Sequence, residues 1–562
     1  MQLRPPTRLI SWRTLRCALG LYATYLVIRL ALGAFWVYQE YGDVNSLTKA
    51  SQTSLPKDLT NLRDHSGLAA VTLADPMIRA ASSLPAVGPW IRLAGEGSAS
   101  ISTIASDTAK LYPLVNGRAG AALGTNTVAP RIHSLFAQMH VLSGITRSIA
   151  SSGIAHPKAL DAAIALLAKL DRNRTVLEKY AQFGASIKSE PGTQSWLLAT
   201  QNLAEARGTG GILGSFAVVK ITDGKLRLAQ VGSDSYLDTA GAVDYRSLPI
   251  DANSIWGMID PADWRDLNAS AHVPYAGQQL YDSWRKIFSV KLHGVIFLGQ
   301  GITQNLVALA GSVSYDGHTL DGNNAADYLA KGIYADYPDP AKKNEFLAGF
   351  MRALFGRLTS GPLAIDAFIK SLDKAKTGDK LYVWSPDKSV QSRLGSWNLS
   401  GAVPTTAGNY VLASDINGGG NKLEAYLHQR QELITCLATG VNVFTDSVSN
   451  LAPKSGLPAY TSPRLDLPLG ANKHVGSNLD LITVYLPVGA EATDFSLDGQ
   501  PVGAGDAYDR GHEILVFMVA TNPGQTRRVS VTYRLKNSSA PRIETRASLN
   551  PISTRVSLAD CR

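Results

Sequence analysis

The feature that most constrains this chain is a run of 22 almost wholly apolar residues near its N-terminus, Cys17–Tyr38. About 20 such residues are enough for a helix to cross a bilayer. Four arginines and no acid precede the run, whereas Glu40 and Asp43 follow it, so the positive-inside rule keeps residues 1–16 in the cytoplasm. We therefore expect a single-pass protein of the cell membrane with the bulk of the chain extracytoplasmic. A cleaved secretory signal is the alternative.

Arg29 lies near the middle of this predicted transmembrane helix, residues 17–38. A charged side chain at that depth is costly unless it finds a partner or reaches water. We expect Arg29 either to pair with a carboxylate on the membrane helix of a partner protein or to extend its guanidinium to the nearer interface.

Length and charge limit the class of protein. At 562 residues the chain is too long for one core, so we expect two or three folded units. The formal net charge is +9, but five of the positive charges are arginines within the first 29 residues, and the rest of the chain carries +4. No basic block of the nucleic-acid-binding type remains, so a nucleic-acid partner is not expected.

The hydrophobic pattern changes along the chain. Residues 44–183 have apolar positions at three- and four-residue spacings, which predict a helical stalk or bundle. Residues 193–435 alternate short β-branched runs with helical segments, including a helix near Lys422–Glu432, and this predicts an α/β domain. Strands separated by Pro and Gly turns predict a β-sandwich over 436–536. The tail, 537–562, is polar and expected to be loose.

The chain has three cysteines, and Cys17 falls in the predicted membrane helix. Cys436 and Cys561 are therefore the extracytoplasmic thiols. In an oxidising compartment they would form a disulfide that ties the tail to the body of the protein. Two free, buried thiols are the alternative.

A polar, glycine-rich segment follows the predicted stalk. It reads Asn202-Leu-Ala-Glu205-Ala-Arg207-Gly-Thr209-Gly210-Gly211, and its glycines would let bare backbone approach a ligand. The segment resembles the N-x-x-E-x-R-x-T-G-G signature of the actinobacterial membrane proteins called domain of unknown function 4012. The resemblance continues through four further segments, His293–Ile296, Asn417–Tyr426, Ala452–Pro458 and Val484–Ala490. The activity of that family is open, so the resemblance implies architecture more than chemistry.

Standard catalytic motifs are absent from the sequence. There is no His-Glu-x-x-His pair and no Gly-x-Ser-x-Gly elbow, which excludes the zincin and α/β-hydrolase patterns. The glycine-rich runs at 208–211 and 418–422 lack Walker spacing. Three cysteines are too few for a zinc ribbon.

Residues 195–360 are also similar to the LytR-CpsA-Psr phosphotransferases, which move glycopolymers from a polyprenyl-pyrophosphate carrier onto peptidoglycan. The similarity is carried by the order of a Gly294–Ile296 strand, a helix, Gly311–Val313 and then Leu320–Leu329. Ser247–Asp251 resembles the S-(I/L)-P-R-D segment of those enzymes, with isoleucine in place of arginine. The resemblance implies a layered sheet with helices and a site that binds a pyrophosphate, with cations and magnesium to offset its charge.

The candidate site residues follow from this resemblance. Arg207 is the candidate phosphate clamp, and Glu205, Asp251 and Asn202 are candidate metal or acceptor ligands, with Mg²⁺ as the expected ion. Further substrate contacts are expected from Thr209, Gly210, Gly211, Lys331 and Lys342. Lysine stands where the enzymes place arginine and lacks its bidentate fork, so the arginine set is degraded. The alternative is a structural ion pair between Glu205 and Arg207, with Asn202 capping a turn.

The sequence thus predicts an anchored, extracytoplasmic protein of cell-envelope glycopolymer assembly or attachment that binds a polyprenyl-pyrophosphate-linked substrate. Its degraded arginine set leaves catalysis open. The alternative function is a non-catalytic envelope scaffold that binds wall polymer or a membrane partner.

Overall fold

A computed structural model of the chain describes twelve segments and several isolated positions. The segments are residues 55–81, 88–115, 125–151, 170–189, 192–222, 225–241, 263–360, 378–406, 408–436, 438–463, 475–535 and 540–559. The isolated positions are 29, 32, 36, 37, 39, 43, 165, 168, 364, 367, 368, 370 and 371. The chain divides into two compact units, Met1–Gly192 with Asp223–Lys225, and Thr193–Thr222 with Leu226–Arg562.

The described residues of the first unit are almost all helical. Its helices are α1 (Leu55–Leu73), α2 (Pro76–Ala81), α3 (Gly88–Val115), α4 (Thr125–Ser151) and α5 (Arg174–Ser189). Small side chains line the contact between α1 and α3: Ser66, Ala69 and Ser98 are buried. Such residues let two helices approach closely, and Ser102 Oγ of α3 donates to the carbonyl of Arg63 in α1 at 2.9 Å.

The transmembrane helix predicted at residues 17–38 lies outside the described residues except at positions 29, 32, 36 and 37. Arg29 Nη2 donates to Asp75 Oδ2 at 2.8 Å, so a carboxylate of its own chain pairs with it. None of the helices among the described residues has both the length and the hydropathy that crossing a bilayer requires.

The second unit begins with a five-stranded sheet. Its strands are β1 (Thr193–Arg207), β2 (Gly210–Thr222), β3 (Lys225–Ser233), β4 (Gly294–Leu298) and β7 (Tyr382–Trp384), and β5 (Val313–Tyr315) and β6 (His318–Leu320) form a separate ribbon. The order is β3-β2-β1-β4-β7. β1 runs parallel to β4 and antiparallel to β2, and β7 is antiparallel to β4. The central position of β1 explains why both of its faces are largely buried.

Helices accompany this sheet. They are α6 (Asp234–Ala240), α7 (Val273–Ile287), α8 (Gln300–Leu309), α9 (Ala325–Asp327), α10 (Ile333–Asp336), α11 (Pro340–Ser360) and α12 (Lys388–Ser396), with a π turn, Tyr328–Gly332, between α9 and α10. Aromatic residues dominate the core between helices and sheet, where Trp264, Trp284 and Phe297 are at most 1% exposed. The mixed α/β class predicted from the sequence is confirmed.

Two more sheets pack face to face as a sandwich within the same unit. Their strands are β8 (Tyr410–Asn417), β9 (Leu427–Cys436), β10 (Val441–Asn450), β11 (Asn478–Tyr485), β12 (Glu491–Leu497), β13 (Gln500–Pro501), β14 (Gly505–Asp509), β15 (His512–Thr521), β16 (Thr526–Arg534), β17 (Arg542–Thr545) and β18 (Ser553–Ala559). One sheet has the order β13-β12-β16-β10-β9-β18 and the other β14-β15-β11-β8-β17. Apolar side chains alternate inward along both sheets, as sandwich packing requires.

Two predictions about this region were wrong. The helix expected near Lys422–Glu432 is a 3₁₀ turn, Glu424–Tyr426, followed by strand β9. β9 pairs with β10 from Leu427 to Thr435, so sheet pairing overrides the helix propensity of its Leu, Gln and Glu residues. The tail expected to be loose contributes β17 and β18, which add parallel strands to β8 and β9. β8 itself precedes the expected sandwich boundary at residue 436.

Cys436, the last residue of β9, is disulfide-bonded. Strand β18 runs alongside it, with Ala559 paired to Cys436. The predicted partner, Cys561, lies outside the described residues, so the pairing of these two cysteines stays a prediction.

Candidate functional site

The glycine-rich segment forms the tight turn between β1 and β2. A Cβ atom on Gly208 would lie 1.9 Å from the carbonyl oxygen of Ala269, and one on Gly211 would lie 2.3 Å from that of Asn202. Gly210 has φ +145° and would meet Ala547. These glycines are therefore needed because other parts of the same chain pack against the turn. The prediction that Gly210 and Gly211 let a substrate approach the backbone is therefore wrong, because the protein itself fills the space beside them.

Thr209 is also part of this packing, since it is fully buried. Its hydroxyl accepts hydrogen bonds from the side-chain amides of Gln201 and Asn268, the second at 2.8 Å. Asn268 also donates to the carbonyl of Gly211 at 2.7 Å. The structure thus places Thr209 in the interior, where its hydroxyl holds the turn, and it does not line the cavity described below.

A bulge in β1 positions the polar side chains of the motif. The register with β2 shifts between Asn202 and Ala206, so the three residues between them lack partners in β2. Asn202 Oδ1 accepts from the Ala204 N–H at 3.0 Å, and Gln300 Oε1 accepts from the Leu203 N–H at 2.9 Å. Asn202 therefore caps this bulge, which is the structural alternative that the sequence offered. Its amide also donates to the hydroxyl of Tyr334.

Arg207 is held by acids and carbonyls of the protein itself. Its Nε lies 2.6 Å from Asp266 Oδ1 and its Nη2 lies 3.1 Å from Glu205 Oε1. Nη1 donates to the carbonyl of Ala206 at 2.8 Å and to that of Asn417 at 3.4 Å. The side chains of Arg207 and Glu205 are about one-twentieth exposed. The geometry is that of a buried structural ion pair.

A cavity of about 480 Å³ lies beside this ion pair, within the second unit. Its charged lining consists of Glu205, Arg207, Asp234, Asp263, Arg265, Asp266, Lys343 and Lys422. Most of its apolar lining comes from β4 and the helical segments that follow, with Leu298, Leu329, Ile333, Leu347, Phe350 and Met351, and the rest comes from Ile212 and Leu213 of β2 and Leu481 of β11. The cavity is therefore amphipathic, with ionic groups and hydrocarbon in one space.

Most charges of the cavity are paired. Glu205 also forms an ion pair with Lys422, and Arg265 Nε donates to both oxygens of Asp263 at 2.8 Å. Burial opposes ionisation of Asp263, but the hydrogen bonds from Arg265 prevail and lower the pKa of its carboxyl. Lys343 differs, because no described carboxylate lies within ion-pair distance of it.

Lys343 contacts an aromatic ring. Its Nζ lies 5.1 Å from the centre of the Tyr334 ring, and Nζ of Lys422 lies 5.7 Å from the same centre. Burial lowers the pKa of Lys343 and raises that of Tyr334. Sequence reasoning missed both residues. The helical period could have found Lys343, since it shares a face of α11 with Leu347 and Phe350, whereas Lys342 does not.

The other predicted site residues lie elsewhere. Lys331 pairs with Asp327 one helical turn away at 3.2 Å and does not line the cavity. Lys342 is exposed at the start of α11. The predictions that Lys331 and Lys342 contact the substrate are therefore wrong, because the helical backbone directs both side chains away from the cavity. Asp251 lies outside the described residues. Among those described, no group of three or more His, Cys, Asp or Glu side chains is arranged to hold a metal ion, so the expected Mg²⁺ has no ligand set there.

A second cluster of ionisable groups lies inside the sandwich. Asp446 and Asp480 are at most 1% exposed, and neither oxygen of Asp480 has a hydrogen-bond partner among the described residues. Burial raises the pKa of Asp415 and of Glu424 to about 7. Burial, reinforced by the neighbouring carboxylates, also raises the pKa of Asp446 and of Asp480 well above the usual range. Such carboxyl groups favour the protonated form.

No curated protein and no solved structure matches the chain. One family model does match, over residues 191–334. That range contains the β1–β2 hairpin, the Glu205–Arg207 pair and Tyr334. The model is described as a protein of unknown function, DUF4012, and the match supports the resemblance of this part of the chain to that family.

Proposed function

We propose that this protein is a membrane-anchored, extracytoplasmic component of cell-envelope glycopolymer assembly or attachment, and that its 480 Å³ cavity binds a polyprenyl-pyrophosphate-linked substrate. The observation that carries the proposal is the amphipathic lining of the cavity. A lipid-linked sugar phosphate has an anionic head and a hydrocarbon tail, and it needs cations and apolar walls in one pocket. The similarity to the LytR-CpsA-Psr enzymes and the apolar run at residues 17–38 support the same function.

A non-catalytic role in the same process is the second candidate. It is favoured by the pairing of Arg207, whose nitrogens are already bound to Glu205, Asp266 and two carbonyls. A guanidinium so engaged cannot also clamp a transferring phosphate without breaking buried ion pairs, and this is costly. Binding of the carrier lipid or of wall polymer needs no such rearrangement.

Binding of farnesyl pyrophosphate, a short polyprenyl pyrophosphate, tests the proposal. We expect saturable binding to the full chain in detergent, measured by titration calorimetry with and without Mg²⁺. Leu347→Asp should weaken this binding by about tenfold or more, because a charge on the apolar wall loses solvation. Leu347 is only half-buried, so the variant is expected to fold.

Leu358→Asp is the matched control. It places the same charge at another half-buried leucine of α11 that does not line the cavity, and it should bind as the wild type does. Absence of saturable binding to the folded wild-type protein would refute lipid binding. Binding unaffected by Leu347→Asp would mean that the lipid occupies a different place.

A further inference from the structure

One face of α11 presents a cation followed by hydrocarbon. Lys343, Leu347, Phe350 and Met351 all line the 480 Å³ cavity. Their spacing of four, three and one residues places them on one side of the helix. At a rise of about 1.5 Å per residue, roughly 12 Å separate the first from the last along the helix axis. The helix thus offers a polar start and an apolar continuation to any molecule that lies along it.

The cation at the start of this face lacks a counter-ion in the part of the chain that the structure describes. A half-buried ammonium normally pairs with a carboxylate, because desolvation of a charge is costly. The charged groups that face Lys343 are Asp234, which attracts it from beyond ion-pair distance, and Arg265, which repels it. The Tyr334 ring supplies a cation–π contact at 5.1 Å, which compensates only part of the lost solvation. A half-buried cation without a counter-ion is typical of a binding site in which the ligand supplies the negative charge.

We propose that Lys343, next to the Tyr334 ring, forms the subsite for the phosphate head of the lipid, and that its hydrocarbon lies along α11 toward Met351. The inference rests on the proposed function and names the head-group site within that cavity. It assigns to Lys343 the role that the sequence motif suggested for Arg207, because Lys422, like Arg207, is already paired with Glu205. Lysine binds phosphate as a point charge, so the bidentate fork of arginine is not required.

The test compares farnesyl phosphate, farnesol and inorganic phosphate as probes of the full chain in detergent. Wild-type protein should bind farnesyl phosphate at least tenfold more tightly than farnesol. Lys343→Met should abolish this preference and leave the affinity for farnesol unchanged. Its melting temperature should be no lower than that of the wild type, because the substitution removes a desolvated charge. Lys342→Met, at the exposed neighbouring position, should behave as the wild type does.

The outcomes separate the two proposals. If the wild type prefers farnesyl phosphate and Lys343→Met retains the preference, the head-group subsite is refuted while lipid binding stands. Equal affinity of the wild type for farnesyl phosphate and farnesol also refutes the subsite and leaves lipid binding intact. If inorganic phosphate binds as tightly as farnesyl phosphate, Lys343 binds a free anion and not a lipid head. If none of the three probes binds, the proposed function and the subsite fail together.

Discussion

Arg207→Met is expected to lower the free energy of unfolding of the second unit by about 3–5 kcal/mol. Removing one member of a buried ion pair leaves its partners charged and without compensation. Here the partners are Asp266, 2.6 Å from Nε, and Glu205, 3.1 Å from Nη2. Among the described residues, Lys422 is then the one cation left to pair with Glu205. Urea denaturation of the full chain, followed through the near-ultraviolet circular dichroism of buried Trp264 and Trp284, measures the loss.

Arg430→Met is the control for this prediction. Arg430 pairs with Glu432 at 2.6 Å, but its side chain is 56% exposed. An exposed pair of this kind contributes about 0–1 kcal/mol. If Arg207→Met instead kept wild-type stability and lost farnesyl pyrophosphate binding, Arg207 would be a phosphate clamp and the structural interpretation of the pair would be wrong.

The pairing of Arg207 shows where the sequence stops being informative about the site. The motif identifies Glu205 and Arg207 as polar residues in an apolar region, but their roles depend on partners distant in the chain. Asp266 is 59 residues away and the carbonyl of Asn417 is 210 residues away. Hydrophobic periodicity and motif spacing report neighbours along one element, so they cannot distinguish a buried pair from a substrate clamp.

The fold was predictable to the extent that its patterns are local. Short runs rich in β-branched residues predict strands, and in the structure Phe216–Ile221 lies within β2 and Gly294–Leu298 is β4. β9 was mistaken for a helix because Gln431 faces the sandwich interior, where it is buried and donates to Asp446 at 3.0 Å. A polar residue at a core position breaks the period-two pattern from which a strand is recognised.

Those inward-facing polar groups also set the pH dependence of stability. The pKa of Asp415 in the folded protein is about 7, against 3.8 ordinarily. The folded state therefore binds this proton more tightly than the unfolded state, and stability is lost as the pH rises through the folded pKa. At about 1.4 kcal/mol per pKa unit, Asp415 alone corresponds to at most about 4 kcal/mol. We expect the free energy of unfolding to fall as the pH rises from about 4 to about 7, between the unfolded and the folded pKa of this group.

Asp480→Asn should restore much of the stability that the wild-type protein loses as the pH rises. The amide has nearly the shape of a protonated carboxyl group but cannot ionise, so the cost of a buried charge beside Asp415 and Asp446 disappears. At pH 8 the variant is expected to be about 2–4 kcal/mol more stable than the wild type. Near pH 4 the two should differ by less than about 1 kcal/mol, because the wild-type carboxyl is then protonated in the folded state and only about half ionised in the unfolded state. Urea denaturation at the two pH values measures both differences.

Asp494→Asn provides the comparison, because Asp494 is exposed on β12 of the same sandwich. It changes the net charge as Asp480→Asn does, so a general charge effect would stabilise both variants equally at pH 8. Stabilisation confined to Asp480→Asn, and to high pH, ties the pH dependence to the buried cluster. An Asp480→Asn variant that is equally destabilised at both pH values would show that the ionised carboxylate is satisfied in the native protein, and that the cluster is not protonated at neutral pH.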